Sequence, residues 1–150
     1  MARLMSFAKT THQVIDRSKT VTRRTGWKFL TPGARLWACE KTMGLQKGEK
    51  VRRLCLIEVV SVRRERLDAI LDYDETCPEC GGTGTAPDGV FFCQSCNGDA
   101  VKNSDAAREG FPQMSGKRFI EFFCYELGCL PGTEVTRIEF RYVDESEVGQ

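Results

Sequence analysis

Apolar and polar residues alternate most clearly near the end of the chain. Ile138, Phe140 and Tyr142 alternate with charged residues, and this period of two predicts a strand buried on one face. Further strands are predicted in "MSFAKT", in "KTVTRR" and from Arg35 to Glu40. The longest, "VRRLCLIEVVSVRR", has apolar residues on both faces of its middle. We therefore expect that middle to be buried on both sides, as in a small barrel.

Helical patterns are short. One helix is predicted over "HQVIDR", with Thr10 or Thr11 as its cap, and another over "LDAIL". Ser115 predicts the start of a third helix, from Gly116 to Leu127, and Gly128 marks its exit. The apolar stripe of this helix consists of Phe119, Phe122, Phe123 and Leu127. The pattern predicts a mixed α/β (α+β) fold in which strands dominate and two or three helices flank them.

The organisation predicted is one domain over residues 1–150, interrupted by an insertion over residues 74–104. A chain of 150 residues is long enough for a domain with its own core. Residues 74–104 are rich in glycine and cysteine and poor in aliphatic side chains. We expect this insertion to have its own local order.

The insertion contains the motif C-x2-C-x12-C-x2-C, formed by Cys77, Cys80, Cys93 and Cys96. Each close pair can turn both sulfurs inward on one tight loop, and two such loops can make a tetrahedral S4 site. The alternative is a pair of disulfides. The spacing favours Zn²⁺, and four thiolates leave no open coordination position, so the metal is predicted to be structural. "CPECGGTG" and "CQSCNG" are locally similar to the zinc-region repeats of DnaJ-type chaperones.

Composition points to a cytoplasmic protein and excludes a membrane protein. No apolar run approaches the length of a membrane span, and the N-terminal residues contain no apolar signal segment. Residues 1–66 carry 16 Lys and Arg against 5 Asp and Glu, whereas residues 67–150 carry 6 against 16. This asymmetry indicates either a face that binds an anion, typically nucleic acid, or two halves that neutralise each other.

The segment "RSKTVTRR" is the candidate for chemistry in the basic half. Thr22 becomes a nucleophile only if a base such as Lys19 removes its proton, and nearby cations would favour that role. In a regular strand Lys19 and Thr22 would point to opposite faces, so a turn or bulge must lie between them if they cooperate. Taken alone, the segment is better explained by a solvated basic surface.

Five short stretches, in order, resemble the ASCH domain family, which has a PUA-like β-barrel fold. They are "KTVTRR", "PGARLWA", "LCLIEVVSV", "AAREGF" and "VTRIEF". The family motif G-x-K-x-x-[TE]-x-R falls on Arg17, Lys19, Thr22 and Arg24. The resemblance implies binding of RNA or nucleotides in a cleft beside this motif.

Some small bacterial ASCH proteins hydrolyse the amide of N4-acetylcytidine. For this chain the resemblance implies Thr22 as nucleophile, Lys19 as the group that activates it, and Glu109 of "AAREGF" as the assisting carboxylate. Two features depart from the family: Arg17 replaces the motif glycine, and the cysteine insertion precedes Glu109.

Three other residues complete the predicted ligand site. Arg23 adds a cation, and Trp27, in the loop after the basic segment, is placed to stack a base. Glu58 interrupts an apolar strand, where it either faces the ligand or forms a salt bridge to an arginine on the next strand. Cys39, Cys55 and Cys124 lie among apolar residues and are predicted to be small buried side chains.

The sequence therefore predicts an ASCH-type protein that binds nucleic acid, RNA first, or a modified nucleotide or nucleoside. One alternative is a small amidohydrolase acting on N4-acylated cytidine. Another is a zinc-stabilised adaptor that binds a protein partner.

Overall fold

The computed structural model describes residues 3–144 and residue 146. The chain divides into two compact units. The sheet unit comprises Met1–Arg64 and Val135–Gln150, and the cysteine unit comprises Glu65–Glu134. The predicted insertion, residues 74–104, is part of the cysteine unit, which also contains the segment around Glu109 and the long helix.

A five-stranded mixed sheet forms the sheet unit. Its strands are β1 (Arg3–Ser6), β2 (Val21–Arg24), β3 (Arg35–Cys39), β4 (Arg53–Arg66) and β7 (Glu134–Tyr142). They lie in the order β1-β3-β4-β7-β2. β1 is parallel to β3, whereas the pairs β3–β4 and β2–β7 are antiparallel. A 3-10 turn (Ala8–Thr10) and helix α1 (Thr11–Ile15) lead from β1 towards β2.

The sheet curls until its two edge strands meet. Nη2 of Arg24, in β2, donates a hydrogen bond to the carbonyl oxygen of Ser6, in β1, at 2.5 Å. Three strands lie between these two in the sheet, so a flat sheet could not make this bond. The result is a half-barrel with short helices, which confirms the predicted α+β class, in which strands dominate and a few helices flank them.

The concave face of the sheet, here called the inner face, carries the core of this unit. Four of its side chains are at most 1% exposed: Met5, Leu36, Ile57 and Ile138. Ile138 and Phe140 face this core, as the alternation in the last strand predicts. The prediction for β4 is right only in part, because Leu56 and Ile57 are buried but Val60 is 47% exposed.

One of the two local predictions in the helical segments is wrong. No threonine side chain caps α1, since the Thr11 hydroxyl donates instead to the Phe7 carbonyl oxygen at 2.9 Å. The helix predicted over "LDAIL" is confirmed, and it is a 3-10 helix that spans Leu67–Tyr73.

The cysteine unit contains that 3-10 helix and several further elements. They are β5 (Glu75–Thr76), β6 (Val101–Asn103), α2 (Asp105–Arg108) and α3 (Gly116–Leu127). β5 and β6 pair antiparallel and form a two-stranded sheet.

Helix α3 has the boundaries that the sequence predicts. The Ser115 hydroxyl accepts a hydrogen bond from the N–H of Arg118 at 3.3 Å, and Gly128 ends the helix with φ 63°. Phe119 and Phe123 are buried on its apolar face. Leu127, predicted for the same stripe, is 54% exposed because it lies in the last turn, immediately before the left-handed cap.

Candidate functional site

The basic segment enters the fold through a left-handed turn. After α1 ends, Arg17 adopts φ 65° and its N–H bonds to the Val14 carbonyl oxygen at 3.2 Å. Lys19 follows in irregular backbone, and the strand begins only at Val21. The turn therefore removes the constraint that would place Lys19 and Thr22 on opposite faces of one strand.

Lys19, Thr22 and Arg24 converge beside Phe7 at the inner face. The Lys19 Nζ lies 5.9 Å from the Phe7 ring centroid, and the Arg24 Cζ lies 5.0 Å from it. Thr22 pairs in register with the core residue Ile138, and its Oγ1 accepts a hydrogen bond from Arg24 Nε at 3.1 Å. Lys19 and Thr22 are each only 3% exposed. These three residues and Phe7 are called the inner cluster below.

The backbone of Lys19 is fixed from two sides. Its N–H donates to the Gln13 carbonyl oxygen at 3.1 Å, and its carbonyl oxygen accepts a hydrogen bond from the Tyr142 hydroxyl at 2.6 Å. Burial raises the pKa of Tyr142 well above its usual range, so the phenol keeps the proton that it donates. Phe7 and Tyr142 are site-forming residues that the sequence reasoning missed, because only tertiary structure places them beside the motif.

Arg17 occupies the conformation that a glycine would favour. Its side chain is exposed, lies 3.6 Å from the Asp144 carboxylate and places its guanidinium 5.4 Å from the Tyr142 ring. The backbone here thus adopts a positive φ although the residue has a Cβ. Arg17 therefore combines an exposed, charged side chain with a backbone conformation that is typical of glycine.

Trp27 lies in the loop after β2, as predicted, but it is half-buried against the core. Its neighbour Phe29 is 56% exposed, with 5.5 Å between the two ring centroids. The guanidinium of Arg3 lies 4.5 Å from the Phe29 ring. Phe29 is thus the more accessible aromatic ring. In the sequence, the only indication of this second ring is its position two residues after Trp27, in "WKF".

Glu58 lies on the outer face of the sheet, away from the inner cluster. Its carboxylate bonds to Arg35 at 3.1 Å and to Arg141 at 3.0 Å. Hydrogen bonds from Arg141 and Arg35 hold the pKa of this carboxyl below its usual value. The salt-bridge interpretation of Glu58 is confirmed, and the structure does not bring this residue to Thr22.

Arg23 also lies on the outer face, where it pairs in register with Arg137. Both arginines are buried, at 3% and 4% exposure. Nη1 of Arg137 lies 3.8 Å from the Glu139 carboxylate. Arg23 is therefore separated from Thr22 and Arg24 by the alternation of the strand.

Glu109 is buried at 3% exposure and follows α2 in the cysteine unit. Its N–H bonds to the Asp105 carbonyl oxygen at 3.1 Å. Lys19 and Thr22 belong to the sheet unit. The role predicted for Glu109 stays a prediction.

The four cysteines of the motif form one cluster in the cysteine unit. The sulfur atoms of Cys77, Cys80, Cys93 and Cys96 all lie within 4.8 Å of one another. All eight cysteines, each in the described part of the chain, are free thiols, so the disulfide alternative is not adopted here. Four sulfur ligands at this separation can hold a metal ion.

The two CxxC loops repeat the same backbone geometry. Thr83 N–H bonds to the Cys80 carbonyl oxygen at 3.2 Å, and Asp99 N–H bonds to the Cys96 carbonyl oxygen at 3.1 Å. Positive φ angles recur at equivalent positions of the two loops. One residue after the second cysteine, φ is 62° at Gly81 and 54° at Asn97; two residues after it, φ is 91° at Gly82 and 80° at Gly98. Four residues after it, φ is 74° at Gly84 and 64° at Ala100. The second loop therefore keeps the conformation of the first although its glycine pattern is incomplete.

The loop backbone also favours thiolate at one of the sulfurs. Burial raises the pKa of Cys80, but hydrogen bonds from the Gly84 and Gly82 N–H groups and from neighbouring thiols outweigh it and lower the value to about 6. The Gly84 N–H lies 3.3 Å from this sulfur. Burial raises the pKa of Cys96 to about 11. N–H donors that stabilise a thiolate are consistent with a metal-binding loop.

Comparisons with known proteins give one similar structure. No family model matches the sequence, and no curated protein matches it. A solved ASCH domain from Lactobacillus crispatus is similar with a TM-score of 0.43 and 12% sequence identity, and the match covers 93% of this chain and 78% of that chain. At this identity the similarity assigns no residue roles. No helix in the described part of the chain is long and apolar enough to cross a membrane.

Proposed function

We propose that this chain is an ASCH-type protein that binds RNA, or a modified nucleotide, through the inner cluster. The observation that carries the proposal is the convergence of Lys19, Thr22 and Arg24 beside Phe7. Cationic side chains are uncommon beside the apolar core of a protein. Departures of this kind from an apolar interior are concentrated at functional sites.

The charge of the sheet unit supports an anionic ligand. This unit has 17 Lys and Arg against 8 Asp and Glu, a net charge of +9, whereas the cysteine unit has 5 against 13, a net charge of −8. A positive surface attracts phosphate groups and makes binding sensitive to salt. We therefore assign nucleic-acid binding to the sheet unit.

Exposed aromatic surface on the same unit offers a second kind of contact with RNA, in addition to the contacts with phosphate. Phe29 is 56% exposed beside Trp27 and Arg3. Bases of single-stranded RNA stack on aromatic rings and on guanidinium planes. We propose that Phe29, with Trp27 behind it, contacts a base next to the phosphates held by the basic residues.

Fluorescence anisotropy with matched single-stranded RNA and DNA oligonucleotides tests this proposal. Over increasing salt concentration, the logarithm of the affinity should fall linearly with the logarithm of salt concentration. A preference for RNA would identify the 2′-hydroxyl as part of the ligand. Absence of binding to both oligonucleotides and to free cytidine nucleotides would contradict the proposal.

A second candidate function is hydrolysis of an N4-acyl cytidine. The observation that favours it is the burial of the Thr22 hydroxyl and the Lys19 amine in one cluster. Thr22 Oγ would attack the carbonyl carbon of the acyl group. The C–N bond would then break, and a proton would pass to the departing N4 amino group of cytidine. Water would finally hydrolyse the acyl-threonine ester and release the free acid. Glu109 is the proposed assisting carboxylate.

Release of cytidine from N4-acetylcytidine, followed by chromatography, tests this second function. Turnover should be lost in both Thr22→Ala and Lys19→Met, whereas Arg118→Gln in the cysteine unit should keep it. If neither binding nor turnover is found, the adaptor function becomes the better explanation.

We also propose that the cysteine cluster holds Zn²⁺ in a structural role. Four thiolates fill the tetrahedral coordination of zinc and leave no position for a substrate. Binding of the metal would supply folding free energy to a segment that has few aliphatic side chains of its own. Metal analysis of the purified protein should give one zinc per chain, and Cys77→Ser should reduce it.

A further inference from the structure

Two cysteines outside the metal cluster lie in contact at the end of α3. The Sγ of Cys129 lies 3.9 Å from the Sγ of Cys124, and both residues are half-buried. Cys124 is in the last turn of the helix, and Cys129 follows Gly128. The neighbouring side chains of Tyr125 and Leu130 are 87% and 73% exposed, so this end of the helix is accessible to small molecules.

The helix cap holds the two thiols together. Gly128 takes φ 63°, and its N–H bonds to the Cys124 carbonyl oxygen at 2.8 Å. A cap of this kind turns the chain back, so that the residue after the glycine contacts the one four positions before the glycine. An apolar pair usually fills these positions. Here both are cysteines, whose contact has chemistry that an aliphatic pair lacks.

We propose that Cys124 and Cys129 are a redox-active pair that closes reversibly to a disulfide. The partner reagent is a small-molecule disulfide of the glutathione class. Closure requires the sulfur separation to shorten from 3.9 Å to the bond length of about 2 Å.

The reaction proceeds by two thiol–disulfide exchanges. The Cys129 thiolate attacks one sulfur of the reagent disulfide, forms a mixed disulfide and releases one thiolate. The Cys124 thiolate then attacks the Cys129 sulfur and releases the second. The protein loses two electrons and two protons, and one reagent disulfide becomes two thiols. We place Cys129 first because it lies outside the helix, after the Gly128 cap, whereas Cys124 lies within the last helical turn, where burial raises the pKa of its thiol.

The other cysteines are in different environments. Four of them form the metal cluster, and Cys39 and Cys55 lie on neighbouring strands of the sheet unit. Cys39 is fully buried. The pair at the end of α3 should therefore oxidise before Cys39 and the four cysteines of the metal cluster in the metal-loaded protein.

The test is differential alkylation of the metal-loaded full chain after equilibration in glutathione buffers, with the sites identified by mass spectrometry. Cys124 and Cys129 should lose reactivity together, recover it with dithiothreitol, and leave Cys39 and the four metal ligands unchanged. In Cys124→Ser, Cys129 should stop at the glutathione mixed disulfide. Retention of both thiols while other cysteines oxidise would overturn the proposal.

A second pair of variants separates this chemistry from a general loss of folding. Gly128→Ala should slow closure of the disulfide several-fold, because alanine disfavours the left-handed cap. Gly44→Ala replaces another glycine at positive φ, in the sheet unit, and should leave the closure rate unchanged. Equal rates in the two variants would contradict the role of the cap.

Discussion

Arg24 connects Thr22 to the opposite edge of the sheet. Its Nε donates to the Thr22 hydroxyl at 3.1 Å, and its Nη2 donates to the Ser6 carbonyl oxygen at 2.5 Å. One guanidinium therefore orients the candidate nucleophile and also joins β1 to β2. Thr22 participates only in the first of these bonds, so changes at Thr22 separate the function of the cluster from the closure of the half-barrel.

At Arg17 we predict that glycine is better tolerated than alanine. Both substitutions remove the contacts with Asp144 and Tyr142, but only glycine relieves the φ of 65°. The difference in the free energy of unfolding should be about 1 kcal/mol in favour of Arg17→Gly. Urea denaturation of the two variants measures it. Equal stabilities would show that the left-handed turn is not maintained.

In the two metal loops, exchanging glycine and alanine should have opposite effects. A Cβ at Gly84 would lie 2.5 Å from the Gly98 carbonyl oxygen, and φ there is 74°. Ala100, at the equivalent position with φ 64°, already has its Cβ. Gly84→Ala should weaken zinc binding, whereas Ala100→Gly should raise stability by up to about 1 kcal/mol. Competition with a chelator measures zinc affinity in Gly84→Ala, and thermal unfolding measures stability in Ala100→Gly. Unchanged zinc affinity in Gly84→Ala would contradict the loop geometry.

Asp74 should make stability fall as pH rises above the ordinary aspartate value. Burial raises the pKa of its carboxyl from 3.8, with a smaller opposing effect from the Gly116 N–H at 3.2 Å. Between the ordinary and raised values the native state binds more protons than the unfolded chain, so stability decreases with pH in that window. Asp74→Asn should remove this part of the slope, as measured by denaturation from about pH 4 upward.

The matched control for this pH dependence is Asp72→Asn, an exposed carboxyl nearby. The slope should change more in Asp74→Asn than in this control. If Asp74→Asn also leaves the slope unchanged, Asp74 does not carry a raised pKa in the native state.

Removal of the metal should loosen the cysteine-rich loops and spare the sheet. Without zinc, four sulfurs within 4.8 Å have no ion to bridge them, and residues 77–100 should lose protection from hydrogen exchange. Amides of β3, β4 and β7 should keep theirs, since their core consists of aliphatic and aromatic side chains. Cys77→Ser should reproduce the effect and Cys124→Ser should not. Loss of protection in both units would contradict an independently stabilised loop.

Local signals made part of this fold predictable. Ser115 and Gly128 fix both ends of α3, because a cap depends on the few residues around it. The cysteine spacing likewise predicts the cluster, since each pair lies within one tight turn.

The features that were missed depend on contacts between distant segments. The sequence does not show that Arg24 reaches Ser6, that Phe7 lies between two cations, or that Tyr142 holds the Lys19 carbonyl. Glu58 shows the same limit: a carboxylate within an apolar strand suggests a site, yet two arginines on flanking strands pair with it. Strand pairing determines the contacts of Glu58, and the curvature of the sheet brings Arg24 to Ser6.

The most direct test of the central proposal is RNA affinity in a set of matched variants. Thr22→Val keeps the volume of the side chain and removes its hydroxyl. Arg24→Gln removes a positive charge from the inner cluster. Arg118→Gln, the control, removes a positive charge from an exposed position in the cysteine unit. Fluorescence anisotropy at constant salt should show about a tenfold loss for Arg24→Gln, which corresponds to about 1.4 kcal/mol, a smaller loss for Thr22→Val and no loss for Arg118→Gln. Equal affinity in all three folded variants would contradict the assignment of the inner cluster as the binding site.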